Sequence, residues 1–174
     1  HTLVYPLPSR YCLSDELASE AWRLFGSGPR GWGRVQAVCD WIHDNIRYGV
    51  HSTPLTTAVD VFVAQGGMCR DFAHLAITLC RCMNVPARYC TGYLGDIGVP
   101  PAPEPMDFSA WFEVYLSGHW YTFDARHNKP RIGRILMGRG RDAADVPLST
   151  SFGRTELSGF KVYTDEVAAA PLPH

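Results

Sequence analysis

Cys69 is the residue whose position in this sequence most clearly indicates chemistry. It lies within "QGGMCRDFAH" (65–74), directly after two glycines and one methionine and at the start of a run with helical spacing. A thiol at a helix N-terminus faces the positive end of the helix dipole and unpaired backbone N–H groups, and both favour the thiolate. The position indicates a nucleophile, although a buried structural thiol fits the position alone equally well.

Four helices are predicted in the first half of the chain. The clearest begins at Cys69, because apolar residues follow at 72, 75, 76, 79, 80 and 83 before Asn84 and Pro86 close it. The three earlier helices are one capped by Ser14 and ended by Gly26, one from Trp32 to Ile46, and a short one within 57–67 stopped by Gly66 and Gly67.

Short runs typical of β-strands follow the helices. They lie at 87–94, 109–116, 119–126, 131–137 and 160–164, and "LSGHW" (116–120) is typical of a tight turn between the second and the third. Helices first and strands afterwards predict an α+β domain in which the helix that carries Cys69 packs on an antiparallel sheet. The length of 174 residues predicts a single domain, which we place at 13–174. Residues 1–12 are interpreted as a linker, a candidate remnant of a longer chain.

Two stretches carry a family resemblance. The segment from "GGMCRDFAH" to "TGYLGD" (66–96), followed by "DFSAWFEVYLSGHWYTFDARHN" (107–128), resembles the transglutaminase-like superfamily, in particular its bacterial cysteine peptidases. The resemblance covers roughly residues 30–165 and implies a papain-like fold. It also implies Cys69 as the nucleophile and Asp124 as the carboxylate that orients the catalytic base.

Ser109 stands where the resemblance implies the catalytic histidine. A serine hydroxyl is not a base near neutral pH and carries no positive charge to stabilise a thiolate. With serine there, we expect Cys69 to be only mildly activated, by the helix dipole and neighbouring N–H groups.

The pairing of the predicted hairpin suggests a replacement base. If the chain turns at Ser117 and Gly118, facing residues have numbers that sum to 235, so Ser109 lies opposite Arg126 and diagonal to Asp124. His127 would point to the other face of a continued strand, but a strand that ends at Asp124 would let it turn inward. His127 is therefore our first candidate, and water held at Ser109 or a residue of another chain are the alternatives.

Several other residues have weaker claims to a role. Gln65 is a candidate oxyanion donor beside the backbone N–H of Cys69, and Trp111 either walls a cleft or belongs to the core. Four arginines at 131, 134, 139 and 141 are typical of a solvated edge, with a contact to a substrate carboxylate as the lesser alternative.

Composition excludes several classes of partner. The net charge of −1 is dispersed along the chain, which argues against binding to nucleic acid or to an anionic membrane, and no apolar run reaches the length of a membrane-spanning helix. Six cysteines in a chain that can build its own core predict reduced thiols, a cytoplasmic location, and neither metal nor cofactor.

Three functional hypotheses remain from the sequence. The first is a thiol enzyme that hydrolyses or transfers amide bonds of a peptide or protein substrate through an acyl group on Cys69. The second is a pseudoenzyme that binds a peptide or protein partner in the same cleft. The third is a metal or redox role for the cysteines. Hydrolysis is favoured over crosslinking, because closely spaced carboxylates of a calcium loop are missing from the sequence.

Overall fold

The computed structural model describes residues 2–103 and 106–167. Its helices are α1 (Ser14–Phe25), α2 (Trp32–Asn45), α3 (Ala58–Ala64) and α4 (Cys69–Cys82), and its strands are β1 (Arg47–Tyr48), β2 (Gly66–Gly67), β3 (Ala87–Leu94), β4 (Phe108–Leu116), β5 (His119–Phe123) and β6 (Arg134–Gly140). A short 3-10 helix follows at Ala143–Asp145.

The main sheet has the strand order β5-β4-β3-β6, and all its neighbouring strands are antiparallel. β4 and β5 form the predicted hairpin, in which Ser117 and Gly118 take φ values of 47° and 91° at the turn. Phe112 faces Phe123 and Leu116 faces His119, so the predicted pairing is confirmed over the length of β5.

Helix α4 forms the centre of the core, as its apolar spacing predicts. All twelve of its residues from Asp71 to Cys82 are buried, because the sheet covers one side and α1, α2 and α3 cover the others. Ala110, Phe112 and Val114 of β4, which alternate along the strand, belong to the same buried cluster. The predicted α+β fold with a central cysteine-bearing helix on an antiparallel sheet is confirmed.

The two glycines before Cys69 have a different role from the predicted one. Helix α3 ends on Gln65, whose backbone is left-handed at φ 51°, and the glycines form β2, paired in parallel with β1. A side chain at Gly67 would place its Cβ 2.7 Å from the Cβ of Asp71. Glycine is therefore required here so that the chain can pass close to the first turn of α4.

Two other local predictions are wrong. Leu13, not Ser14, precedes α1 as its cap residue, and Ser14 is the first residue of the helix. The run at 160–164 forms no strand, because its backbone finds no strand to pair with; the N–H of Thr164 bonds instead to the sulfur of Met106.

The predicted strand at 119–126 ends early, after Phe123. Oδ1 of Asp124 accepts hydrogen bonds from the backbone N–H groups of Arg126 (3.0 Å) and His127 (3.2 Å), and the Asp124 carbonyl accepts one from Asn128 (2.8 Å). Such local bonds from an aspartate favour a turn over a continued strand. Ser109 therefore pairs with Gly92 of β3 and has no partner on β5, where Arg126 was expected.

The segment before α1 packs against the domain. The N–H of Ala87 donates to the carbonyl of Tyr5, and the N–H of Ala58 donates to that of Tyr11. Cys12 is fully buried in the core.

Candidate active site

Cys69 is the first residue of α4 and is half-buried. The turn that holds it is fixed by Asp71, whose Oδ2 accepts a hydrogen bond from the N–H of Met68 at 2.8 Å. The thiol donates to the carbonyl of Phe108, with sulfur and oxygen 3.8 Å apart. The helix start and the first residue of β4 therefore meet at the thiol.

The surroundings of the Cys69 thiol act against the mild activation that the sequence predicts. Burial raises its pKa above the ordinary value of 9.0, although the Arg126 charge and the N–H groups of Ala110 and Arg70 act in the opposite direction. The negative charge of Asp107 adds to the rise. The thiol is consequently protonated at neutral pH, and reaction through it requires a base that removes the proton.

Asp124 lies just past the end of β5 with its side chain almost fully buried. Its Oδ2 accepts hydrogen bonds from Nη2 of Arg134 at 2.7 Å and from Nδ1 of His127 at 2.9 Å. Burial alone would raise the pKa of this carboxyl, but these two partners outweigh burial and bring the pKa well below its usual range. Asp124 is therefore a carboxylate at every pH relevant to function.

His127 is oriented by Asp124. Because the carboxylate can only accept, the hydrogen of the neutral imidazole lies on Nδ1, and the lone pair of Nε2 is left available. The side chain of His127 lines the same cavity as Cys69. The turn after Phe123 thus brings inward the histidine that a continued strand would have pointed to the other face.

Ser109 lines the same cavity, but its hydroxyl has no hydrogen-bond partner within the described part of the chain. The residue is buried on β4, and its Oγ makes no hydrogen bond to any residue that the structure describes. A buried, unpaired hydroxyl destabilises the fold and offers neither a base nor a charge to the thiol. The position implied for a histidine is thus occupied without its chemistry.

The cavity that contains these groups has a volume of about 530 Å³. Its walls come from the start of α4, the strand β4 and the loops on either side of the sheet; the lining residues are Tyr48, Met68, Cys69, Leu94, Asp96, Ala102, Met106, Asp107, Phe108, Ser109, Arg126, His127 and Arg131. The candidate nucleophile Cys69, the candidate base His127 and the guanidinium of Arg126 therefore share one cavity.

The weaker candidates lie elsewhere. Gln65 is exposed and does not line the cavity, and Trp111 is buried, with Arg134 5.0 Å from the centre of its ring. His74 is fully buried and accepts a hydrogen bond from the N–H of Ala143. The described residues contain no group of three histidine, cysteine or acidic side chains arranged to hold a metal ion.

The arginines at 131, 134, 139 and 141 are all paired, and two of them, Arg139 and Arg141, lie on the solvated edge that the sequence predicts, with side chains 43% and 50% exposed. Each pairs with one carboxylate, and these are Asp96, Asp124, Glu113 and Asp145 respectively. The role of Arg134 as a partner of Asp124 was missed, because ten residues separate the two and the turn between them has no distinctive sequence. Arg126 was missed as a cavity residue because it was expected to pair with Ser109 along a strand.

The six cysteines are all free thiols, and five of them are buried. Cys69 is the partly exposed one. Among the described residues, no helix has the length and apolar character needed to cross a membrane.

Comparison with known proteins identifies the family and agrees with the fold. Residues 24–125 match the model of the transglutaminase-like superfamily core. A candidate cysteine protease from Cytophaga hutchinsonii has a similar structure, with a TM-score of 0.80 and 40% identity over 88% of this chain and 51% of that one. The periplasmic domain of TgpA from Pseudomonas aeruginosa shares the fold alone, with a TM-score of 0.54 and 17% identity over 73% of this chain and 47% of that one.

Curated relatives extend the comparison to mycobacteria. An uncharacterized Mycobacterium leprae protein, ML0607, is 33% identical over 71% of this chain and 47% of its own length. The uncharacterized protein Rv2569c of Mycobacterium tuberculosis is 35% identical over 61% of this chain and 37% of its own length. The chain spans about half the length of these relatives or less. The match over more than half of this chain and the likeness to the Cytophaga structure show that it belongs to the transglutaminase-like superfamily.

Proposed function

We propose that this protein is a thiol-dependent amide hydrolase, or acyl transferase, in which Cys69 is the nucleophile and His127 is the base. The observation that carries the proposal is that Cys69 and His127 line one cavity while Asp124 holds the imidazole by its Nδ1 at 2.9 Å. A nucleophile, a base and a group that orients the base are the parts that acyl transfer through cysteine requires.

The chemistry follows from the protonated state of the thiol. Nε2 of His127 takes the proton of Cys69 as the sulfur attacks the amide carbon, and the Asp124 carboxylate stabilises the imidazolium that forms. The imidazolium then gives the proton to the departing amine, which leaves the acyl group on sulfur. Water, activated by the same histidine, releases the acid; an amine in place of water would give acyl transfer.

The substrate in this proposal is a peptide or protein segment. Support comes from the cavity of about 530 Å³ at the thiol and from the 40% identity to a candidate cysteine protease. We favour hydrolysis over crosslinking for want of a calcium-loop pattern in the sequence. The cytoplasmic location is also part of the proposal, because a domain that buries its own core does not depend on an oxidising compartment.

Two observations favour a second candidate function. Ser109 occupies the position of the implied histidine, and burial raises the pKa of Cys69. A pseudoenzyme that binds a peptide in this cavity without cleaving it would have both features.

Peptide nitriles separate the two functions. A catalytic thiol adds across the C≡N bond to form a thioimidate, and this addition requires the proton transfer that His127 would provide. We expect a panel of peptide nitriles to form an adduct on Cys69, measured by intact mass and peptide mapping. His127→Gln should slow adduct formation about 10²- to 10⁴-fold, the usual contribution of a general base.

His119→Gln is the matched control, since His119 is exposed on β5 and lies outside the cavity. It should react at the wild-type rate. If no nitrile reacts with the wild-type protein while a peptide still binds, the pseudoenzyme is correct. If His127→Gln reacts as fast as His119→Gln, His127 is not the base.

A further inference from the structure

Arg126 is a cation of the cavity that has no carboxylate partner among the described residues. Its guanidinium lies 3.7 Å from the centre of the Tyr48 ring and makes no ion pair or side-chain hydrogen bond in the described structure. The two neighbouring arginines, Arg131 and Arg134, are each paired with an aspartate. Stacking on an aromatic ring fixes the guanidinium while leaving its N–H donors unused.

The other charges near Arg126 do not neutralise it. Asp96 is paired with Arg131 and Asp124 with Arg134, so both carboxylates are already compensated. The exposed Asp107 accepts a hydrogen bond from the N–H of Phe108 and lies in contact with solvent, which screens it.

The other ionisable groups around the thiol are either paired or neutral. Arg70 is paired with the buried Asp71, and the phenol of Tyr89 is neutral because burial raises its pKa well above the ordinary value. The Cys69 thiol is itself neutral at pH 7. Among the described residues that line the cavity, Arg126 is therefore the one arginine without a carboxylate contact, and the exposed Asp107 is the one carboxylate without a contact to a cation.

We propose that Arg126 forms a carboxylate-binding subsite next to Cys69, so that the preferred substrates are amides whose acyl portion carries a carboxylate. The inference rests on the proposed function, because it assigns the substrate class of the same site. A guanidinium matches a carboxylate with two parallel N–H bonds, which gives both energy and orientation. An acidic side chain on the acyl side of the substrate would supply the carboxylate that Arg126 lacks among the described residues.

Two alkylating reagents that differ only in charge test the subsite without requiring any amide cleavage. Iodoacetate and iodoacetamide both react when the Cys69 thiolate displaces iodide and forms a thioether. Because both consume the same thiolate, the fraction of thiolate cancels in the ratio of their rates. The ratio of the iodoacetate rate to the iodoacetamide rate at Cys69 therefore reports how the cavity receives a carboxylate.

We expect Arg126→Gln to lower this ratio about three- to tenfold, the range for losing a charge-assisted hydrogen bond. Lys129→Gln removes the same charge from an exposed side chain outside the cavity and should leave the ratio unchanged. Asp107→Asn should raise the ratio, because it removes the negative charge that opposes the carboxylate.

An unchanged ratio in Arg126→Gln, or an equal fall in Lys129→Gln, would overturn the proposal. Arg126→Lys adds a second check, since it keeps the charge but loses the paired donors and should give an intermediate ratio. Failure here is distinct from failure of the proposed function. The alkylation ratio can fall in Arg126→Gln even if the protein cleaves no amide. Conversely, peptide nitriles can react with Cys69 even if the Arg126→Gln change leaves the ratio unaltered.

Discussion

Replacing Asp124 with asparagine tests whether this carboxylate holds the site together. The Asp124 and Arg134 side chains are 4% and 14% exposed, and Asp124 is the one carboxylate that Arg134 contacts in the described structure. Asparagine keeps the shape but leaves the guanidinium buried without a counter-charge. Removing one partner of a buried ion pair costs about 3–5 kcal/mol.

The magnitude can be measured because the protein should survive the change. Domains of this size have about 5–15 kcal/mol of stability, so Asp124→Asn should remain folded in buffer. Urea unfolding followed by circular dichroism at pH 7 gives the free energy of unfolding. Asp145→Asn is the matched control: Asp145 and Arg141 are 32% and 50% exposed, and such a surface pair is worth at most about 1 kcal/mol.

The pH dependence of the free energy of unfolding tests the same prediction. The folded-state pKa of Asp124 lies below its unfolded value of about 4, so its contribution is complete above pH 4 and is lost as the pH falls further. The stability difference between the wild type and Asp124→Asn should thus be largest at pH 7 and shrink below pH 4. A cost at pH 7 no larger than that of Asp145→Asn would refute the reasoning.

Three further predictions concern Ser109, Cys69 and His74. Ser109→Ala should leave amide cleavage intact, and urea titrations should show a free energy of unfolding that is unchanged or higher by up to about 1 kcal/mol, because the hydroxyl is buried without a partner among the described residues. Loss of cleavage would indicate a water held by the serine. The rate of Cys69 alkylation by iodoacetamide should still be increasing with pH at pH 9, and Ser109→His should move this increase to lower pH. An unchanged dependence of the rate on pH would show that position 109 does not reach the thiol. Burial lowers the pKa of His74 from 6.5 to about 3, so the unfolded state gains a proton first as the pH falls below 6.5. The free energy of unfolding of the wild type should therefore drop relative to that of His74→Gln by about 1.4 kcal/mol per pH unit in this range. Parallel curves of stability against pH would contradict this.

Local regularities explain why much of the fold could be predicted. The eleven-residue apolar spacing after Cys69 gave the central helix, which begins at the predicted residue. The turn at Ser117 and Gly118 gave the register of β4 with β5, because the side-chain period of two leaves one pairing that buries Phe112 and Phe123. The proposed nucleophile Cys69, the proposed carboxylate Asp124 and the family resemblance all rest on such short-range patterns.

Tertiary structure decided which groups share the cavity with Ser109. Whether β5 continued past Phe123 depended on the bonds that Asp124 makes to its own turn and to Arg134, and these bonds form only when the surrounding chain is folded. The sequence by itself determined that a cysteine begins a helix beside a strand without the implied histidine. The folded chain determined that His127 lines the cavity, that burial keeps the thiol protonated, and that Arg126 has no carboxylate partner among the described residues. Burial and ion pairing depend on residues far apart in sequence, so the sequence alone could not show them.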